Sequence, residues 1–527
     1  MSAPTTALRW VILFWVLALA LYLAPRLSGL SLDPAREVYG GFIGAELMVE
    51  PTAKAHEARN YALFGAWKTN AADNYQFWRA QAPAWVYPLA LSFKAFGVSY
   101  ATLRVTATLF GLVGLVGVVL LMHRRFGTRG ALLGAVMVAT ETFLIYFGRS
   151  GILEPIVIGW CALGFYFLDR AFDRALWLLP AFAMLVVALA TKLAALPAVP
   201  VFLLFGGIAL FRGGGARLAG RTRWLVIAAV VAVLGALTVY ALSPAYLRTL
   251  IWNFHHMLLN REGGTELDLD SIDDEQIGAT VEQLQNRFQR LRWMFPVTLF
   301  CGGLEIGRQA YLVARRRASV RDLMLVALLV SFAVGVFVPR FSGLRFITLL
   351  ALPLTLLTIS FVCSAADWLS GLDFGKVPRL LGRFGPALFG LGFAIYGLAV
   401  WGYGRVRQQN DIHNAAELLR EKIGDRDDAV IIGLWAAPVV FETGYKHYYV
   451  KSSFNSTPEA LFALAPTHTL LLENDHTAGR LEASWPDALS RATPIATLQL
   501  RDRPLTLSHI PAVARLRLRV QLGLPLR

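Results

Sequence analysis

Charge is scarce in this sequence. Asp, Glu, Lys and Arg make up 16% of its 527 residues, against about 25% in a soluble domain. A disordered chain needs high net charge and little apolar matter, so disorder is excluded. Cysteine is nearly absent. Cys161, Cys301 and Cys363 lie in or beside apolar runs and none has CxxC spacing. That excludes a disulfide scaffold and a thiolate metal site, and leaves buried small hydrophobes. There is no H-x-x-E-H metal motif and no internal repeat. Apolar matter fills the gap: 56% of residues are hydrophobic, against roughly 45–50% in soluble domains, and the mean hydropathy is +0.52. The main solvent of such a chain is a bilayer.

Apolar runs are expected to span at about 8–27, 101–122, 130–148, 155–170, 175–191, 193–211, 224–243, 291–311, 321–339, 344–363 and 385–404. No small-residue cleavage site follows the first run, so it reads as a retained helix. Residues 84–97 are too short to cross and read as an interfacial or re-entrant helix. The expectation is a polytopic α-helical protein of about eleven transmembrane helices.

The surplus of Lys and Arg, 50 against 35 Asp and Glu, suits either nucleic acid or cytoplasmic loops. Its distribution decides. With the amino end inside, the basic clusters at 124–129, 169–174, 212–223, 315–321 and 376–383 all fall on one side. The acidic 261–282 loop falls on the other. That is the positive-inside pattern, and no nucleic-acid surface is needed. The acidic loop lacks the alternation and central Gly of an EF-hand and reads as a solvated loop.

Residues 405–527 change character. AAELLREK at 415–422 reads as helix and AVIIGL at 429–434 as a buried strand. Residues 438–448 read as helix, and short strands are expected at 469–472, 495–500 and 505–507. This is a small soluble α/β domain on the outer side, joined there by the 29–97 and 244–290 loops of the transmembrane domain 1–404. No Gly-rich phosphate loop precedes its first helix, so it is not a nucleotide domain.

Four clusters carry chemistry at the outer ends of the helices. On a helix, KAHEARNY at 54–61 sets His56 with Asn60 and Glu57 with Tyr61. It is either an amphipathic surface turn or a catalytic one. In the second case Glu57 is a general base toward an acceptor hydroxyl or amine, and His56 an orienting or second basic group. RSGILEP at 149–155 puts Glu154 at a helix start beside Pro155. Glu154 either meets the helix dipole or converges with Glu57 on one cavity, where Arg149 holds a phosphate. Lys192, between two apolar helices, either snorkels or pairs with an anion. PRFSGLRF at 339–346 places Arg340 and Arg345 outside, against the positive-inside tendency, and points to an anionic ligand such as a lipid phosphate.

Taken in order, these segments resemble the GT-C superfamily of integral-membrane glycosyltransferases, closest to bacterial aminoarabinose transferases and protein O-mannosyltransferases. HEARNYALFGAW at 56–67 resembles the family's Asp-Glu opening of the first outer loop. The stretch 81–105 resembles the segment that follows, RSGILEP its second acidic site, ATKLAALP at 190–197 its Thr-Lys segment and RFITLLALPLTLL at 345–357 its late motif. His56 stands where the family has aspartate.

The resemblance implies transfer of a sugar from a polyprenyl-phosphate donor to a periplasmic glycolipid, polysaccharide or protein, with inversion at the anomeric carbon. It implies a bacterial inner-membrane enzyme with a cytoplasmic amino end. Glu57, His56 and Glu154 are the implied catalytic groups. Arg59, Tyr61, Tyr87, Arg149, Lys192, Arg340 and Arg345 are the implied substrate contacts. No metal is needed by this scheme, although the carboxylates offer a divalent metal a place. A transporter or flippase for lipid-linked sugar, or a membrane scaffold, is the alternative.

Overall fold

The computed structural model describes residues 3–33, 41–212, 281–339, 344–372, 376–424, 428–450, 455, 457–472, 476–485, 490–500 and 503–514, with isolated positions 227, 231, 235, 518 and 522. Arg340, the acidic run 261–280 and nearly all of the expected 224–243 span lie outside them. The chain divides into two units. A spanning unit comprises the described residues of Met1–Ser28 and of 107–403. An α/β unit comprises those of Gly29–Thr106 and Gly404–Arg527.

The elements run in order as α1 (Ala3–Leu27), α2 (Gly41–Lys54), α3 (His56–Phe64), α4 (Trp78–Gln81), α5 (Pro83–Phe96), α6 (Tyr100–Thr140), α7 (Thr142–Ser150), α8 (Leu153–Ala171), α9 (Leu178–Thr191) and α10 (Ala198–Arg212). Then come α11 (Val281–Met294), α12 (Pro296–Ala314), α13 (Val320–Phe337), α14 (Leu344–Ile347), α15 (Ala351–Ser370) and α16 (Lys376–Val406). The tail holds α17 (Asp411–Ile423), β1 (Val430–Ile432), α18 (Ala436–Val440), β2 (Lys446–Tyr448), α19 (Pro458–Leu464), β3 (His468–Leu472), α20 (His476–Ser484), β4 (Thr493–Leu500) and β5 (Arg503–His509).

Among the described residues five helical stretches are long and apolar enough to cross a membrane, or six if one bent pair counts as a span. This falls short of the expected eleven, and apart from 224–243, nearly all of which lies outside the described residues, the differences have physical causes. The expected 101–122 span and the first part of 130–148 are joined in α6, which is kinked at Gly127 (φ +62°). At 1.5 Å per residue a straight α6 of 41 residues would extend about 61 Å, twice a hydrocarbon core. The second part of 130–148 is cut at Glu141. That residue is extended, and its carboxylate accepts the Leu144 N–H at 2.8 Å to cap α7. Gly151 (φ +91°) then turns the chain, so α7 and α8 meet at 111°. Helices α9 and α10 are only 14 and 15 residues long, about 21–22 Å, too short to cross untilted. The expected 291–311 span is interrupted at Phe295, and α12 carries Glu305 and Arg308.

Three buried carboxylates of the spanning unit meet cations, and buried Arg26 meets carbonyls. The Glu305 carboxylate accepts from Arg308 at 2.6 and 2.7 Å, Gln309 at 2.8 Å and the Ser360 hydroxyl at 2.8 Å, which ties α12 to α15. Arg124, Arg125 and Arg321 gather around Asp169 and Asp173, so the kink of α6, the end of α8 and the start of α13 share one end of the unit. In α1, Arg26 donates to the carbonyls of Val138 (3.1 Å) and Ala139 (2.8 Å), which the break after α6 leaves without helical partners.

The α/β unit folds 29–106 against the tail. Asp33 accepts the Ile412 N–H at 3.0 Å at the start of α17, and the Asp33 N–H donates to the Gln409 carbonyl at 2.8 Å. Arg104 donates to the Leu30 and Leu32 carbonyls. The sheet order is β2-β1-β3-β5-β4, with β1 parallel to β2 and β3, and β5 antiparallel to β3 and β4. Ile432, Leu461, Leu464, Leu481 and Trp485 form its core. The expected helix over 438–448 is instead α18, a turn, and the strand β2. Lys446–Tyr448 finds a parallel partner in Val430–Ile432, which periodicity within the segment does not reveal.

Candidate active site

The residues singled out from sequence fall into one set in each unit. In the spanning unit, Glu154 sits in the first turn of α8 and is fully buried. Its Oε1 lies 2.6 Å from Lys192 Nζ and 3.5 Å from Arg345 Nε. Lys192 is placed by the end of α9, where its own backbone is extended before the short turn at 193–195. Arg345 comes from α14. The Phe346 ring lies under both cations, 4.8 Å from Lys192 Nζ and 5.2 Å from the Arg345 guanidinium. Lys192 and Arg345 keep 14% and 11% of their side chains exposed, whereas Glu154 keeps none. The carboxylate is therefore an anchor that orients two partly open cations. Arg149 is buried in the last turn of α7.

In the α/β unit, the expected helix at 54–61 is divided at Ala55, and α3 begins at His56. Glu57 is 1% exposed. Its Oε2 accepts the Arg79 N–H at 2.6 Å, at the otherwise open start of α4. Burial pushes the Glu57 carboxyl above its ordinary value, partly offset by that N–H and by the charges of His56, Arg79 and Lys68. A carboxyl so raised is a stronger acceptor for a proton than an ordinary carboxylate.

His56 is not open to a substrate. Its Nε2 lies 3.0 Å from Asp73 Oδ2 and its Nδ1 lies 3.2 Å from His447 Nε2, so both nitrogens are engaged. Asn60 sits 3.2 Å from Nε2, on the face predicted for it. Arg59, expected on substrate, is fully buried and donates to the carbonyls of Val440, Phe441, Thr443 and Tyr445 at 2.7–3.1 Å. Burial alone lowers it to about 9, so it remains a cation at neutral pH. Tyr61 stacks on Trp67 at 4.2 Å, with Lys94 Nζ 4.0 Å over its ring centroid. Tyr87 meets Trp67 edge-on at 5.4 Å and is 48% exposed. Those two tyrosines form an open aromatic and cationic surface.

Sequence reasoning missed Asp73, His447, Lys54 and Phe346. Phe346 was within reach, as the neighbour of Arg345. The others carried no local signal. Lys54 is buried 3.2 Å from Glu50 and 5.4 Å from the Trp78 ring.

Residues 80–254 match the family described as dolichyl-phosphate-mannose-protein mannosyltransferase. In fold the chain is similar to ArnT from Cupriavidus metallidurans bound to undecaprenyl phosphate. The TM-score is 0.59 at 14% identity, over 94% of this chain and 98% of that one. The oligosaccharyltransferase AglB from Archaeoglobus fulgidus, solved with an inhibitory peptide and a dolichol-phosphate, gives 0.50 at 11% identity over 88% and 70%. The oligosaccharyltransferase of the same organism in complex with Zn and sulfate gives 0.51 at 11% over 98% and 74%. The chain shares the fold of these proteins, and the family match covers about a third of its length. No curated protein sequence matches it.

Zinc in one of those proteins prompts a test of fit here. Among the described residues no three His, Cys, Asp or Glu gather as a metal site. Glu154 is held by two cations that oppose a metal ion, and Glu57 gives one oxygen to a backbone N–H. As placed, neither carboxylate belongs to a three-ligand cluster among the described residues.

Proposed function

We propose that the chain transfers a monosaccharide from a polyprenyl-phosphate donor to a glycolipid, polysaccharide or protein on the periplasmic face of a bacterial inner membrane. The amino end is cytoplasmic and the tail domain periplasmic. The observation that carries this reading is the pair Lys192 and Arg345, oriented on buried Glu154 over the Phe346 ring. Two cations fixed by a carboxylate among apolar helices favour a phosphate that gains negative charge as it leaves. Arg149 and Arg340 are assigned to the same phosphate.

The reaction is one displacement. The acceptor oxygen or nitrogen attacks the anomeric carbon from the face opposite the phosphate. The carbon–oxygen bond to the phosphate breaks and its electron pair leaves with the polyprenyl phosphate. The acceptor proton passes to Glu57, and the anomeric centre inverts. The raised affinity of Glu57 for a proton supports that role. Tyr61 and Tyr87 are assigned to the sugar or acceptor, since their aromatic surface is open. His56 and Arg59 are assigned to support rather than to chemistry.

The test is sugar transfer by purified protein in nanodiscs, from a panel of polyprenyl-phosphate sugars to extracted envelope lipids, polysaccharides and proteins. Loss of transfer in Glu57→Gln with donor binding retained supports the reading. Donor binding with no turnover on any acceptor favours a carrier, for which the 111° bend between α7 and α8 is the supporting feature.

A further inference from the structure

Glu57 shares a short helix with two residues that are committed to the tail domain, and the manner of that commitment is specific. The Asp73 carboxylate accepts from four donors: His56 Nε2 (3.0 Å), Gln76 Nε2 (2.6 Å), Asn455 Nδ2 (2.8 Å) and the Tyr75 N–H (3.1 Å). Burial opposes its charge, but the bonds from His56 and Asn455 hold it below the usual carboxylate range. An ionised carboxylate only accepts, so the proton between it and His56 sits on His56 Nε2. In the neutral ring that leaves a lone pair on Nδ1. The nitrogen facing it at 3.2 Å, His447 Nε2, must then be the donor.

His447 Nε2–H donates to His56 Nδ1, and His56 Nε2–H donates to Asp73 Oδ2. His447 Nδ1 ends the chain, buried and with no hydrogen-bond partner among the described residues. One turn along the same helix, Arg59 grips the carbonyls 440–445 that lead into β2, the strand bearing His447. Glu57 points about 100° away from His56 on the helix, to the start of α4. The tail sheet therefore holds α3 by a face other than the one that bears Glu57.

We propose that His447 and Asp73 are positioning residues of the transfer reaction: through His56 they fix the helix that presents Glu57, so the tail domain sets the aim of the base. This rests on the assignment of Glu57 as base. A merely structural contact would change stability and leave the rate of the folded enzyme alone. A positioning contact lowers kcat, because the base moves relative to the acceptor, and leaves donor affinity unchanged, because the cations are elsewhere in the chain.

The experiment is a double-mutant cycle on the full-length protein in nanodiscs, with His447→Ala, His447→Gln, Glu57→Gln and the double variant H447A/E57Q. Thermal unfolding of each is recorded beside kcat and KM. A misplacement of the order of 1 Å costs up to ~100-fold. The expected result is a kcat of H447A lowered ~10- to 100-fold with donor KM within about twofold. In H447Q the amide N–H replaces the imidazole N–H toward His56 and recovers most of that loss. In the E57Q background H447A has no further effect, because there is no base left to aim.

An equal loss from H447A with and without Glu57 overturns the inference. So does a folded H447A with unchanged kcat, or an H447Q as impaired as H447A. If H447A does not fold, H447Q alone decides: full loss of kcat in a folded H447Q defeats the proposal. Failure of the underlying reading shows separately, as undiminished transfer in E57Q by itself.

Discussion

The two units solvate their buried charges in different ways. In the spanning unit three buried carboxylates meet opposite charges, Glu154 with Lys192 and Arg345, Glu305 with Arg308, and Asp169 with Arg124 and Arg125, while Arg26 is held by backbone carbonyls. In the α/β unit Glu57 has a backbone N–H and Arg59 four backbone carbonyls. Dipoles compensate less fully than counter-charges do, and the ionisation of both groups shifts accordingly. Glu57 is pushed up, and Arg59 is pushed down to about 9. Ion pairing suits architecture in a membrane. A buried carboxylate held mainly by a backbone N–H keeps proton affinity in reserve, which is what a base requires.

The sharpest way to break the comparison is Glu57→Gln. Transfer should fall by ~10²–10⁴-fold, the usual contribution of a general base. Stability should move the other way. A carboxyl with a raised folded pKa contributes stability below its unfolded value and loses it as pH rises through the folded one. At pH 7 the buried carboxylate is therefore a cost. Gln keeps an acceptor for the Arg79 N–H and removes that cost. Thermal unfolding of E57Q at pH 7 should match or exceed wild type, and the gain should vanish near pH 4. A clear drop at pH 7 would falsify the claim that this charge is held at a cost.

Arg59 carries the next largest effect. Arg59→Ala takes a donor from four buried carbonyls, of which that of Val440 keeps the Thr443 N–H and hydroxyl, and a buried acceptor left unsatisfied costs ~1–3 kcal/mol. Arg59→Lys should not rescue it, because an ammonium cannot reproduce a planar fork across carbonyls 440–445. Urea unfolding followed by tail-domain fluorescence reads both. A K variant as stable as wild type would mean that charge, not geometry, holds the contact.

In the spanning unit, Lys192→Met should lower transfer by ~10²–10³-fold, as loss of a transition-state charge contact does. Lys192→Arg should restore part of it. The measurement is single-turnover transfer at saturating acceptor. An unaffected rate in K192M would return Lys192 to a packing role against Glu154.

Hydropathy made the spanning unit legible only in part. It located α13 to within two residues and overlapped α1 and α15, because long apolar helices announce themselves by composition. It misjudged α6 to α8, where Gly127, Glu141 and Gly151 redirect the chain inside apolar runs. A transfer scale does not register a bend. Glu154, Lys192 and Arg345 stood out because a charge beside a spanning helix is costly wherever it falls. In the α/β unit, residues of ordinary polarity do the work through long-range contacts. His56 and His447 are 391 positions apart, and Arg59 and Phe441 are 382 apart. Nothing local distinguishes His447 from a surface histidine, and its partner strand β1 lies in another segment. The opening HEARNY was readable as a site, but which of its side chains face chemistry and which face the tail was set by the fold.

The smallest effect sharpens the comparison most finely, because it concerns a single proton. Burial, then the charge of Arg59, then that of His56 keep His447 well below its ordinary value. Unfolded, an imidazole titrates near 6.5. Above that pH neither state gains a proton at His447, and stability is independent of it. Below it the unfolded chain takes a proton that the folded chain refuses, so stability falls by up to about 1.4 kcal/mol per pH unit. Asp73, depressed in the fold, adds nothing to this window, since its contribution is lost only below about 3.8. Glu57, raised in the fold, opposes the trend by gaining a proton as pH falls. Thermal unfolding between pH 7.5 and 5 should therefore show a decline in wild type that is flatter in H447Q and steeper in E57Q. Equal slopes in all three would mean that the acid sensitivity lies elsewhere, and that the α/β unit does not keep its histidine neutral by burial.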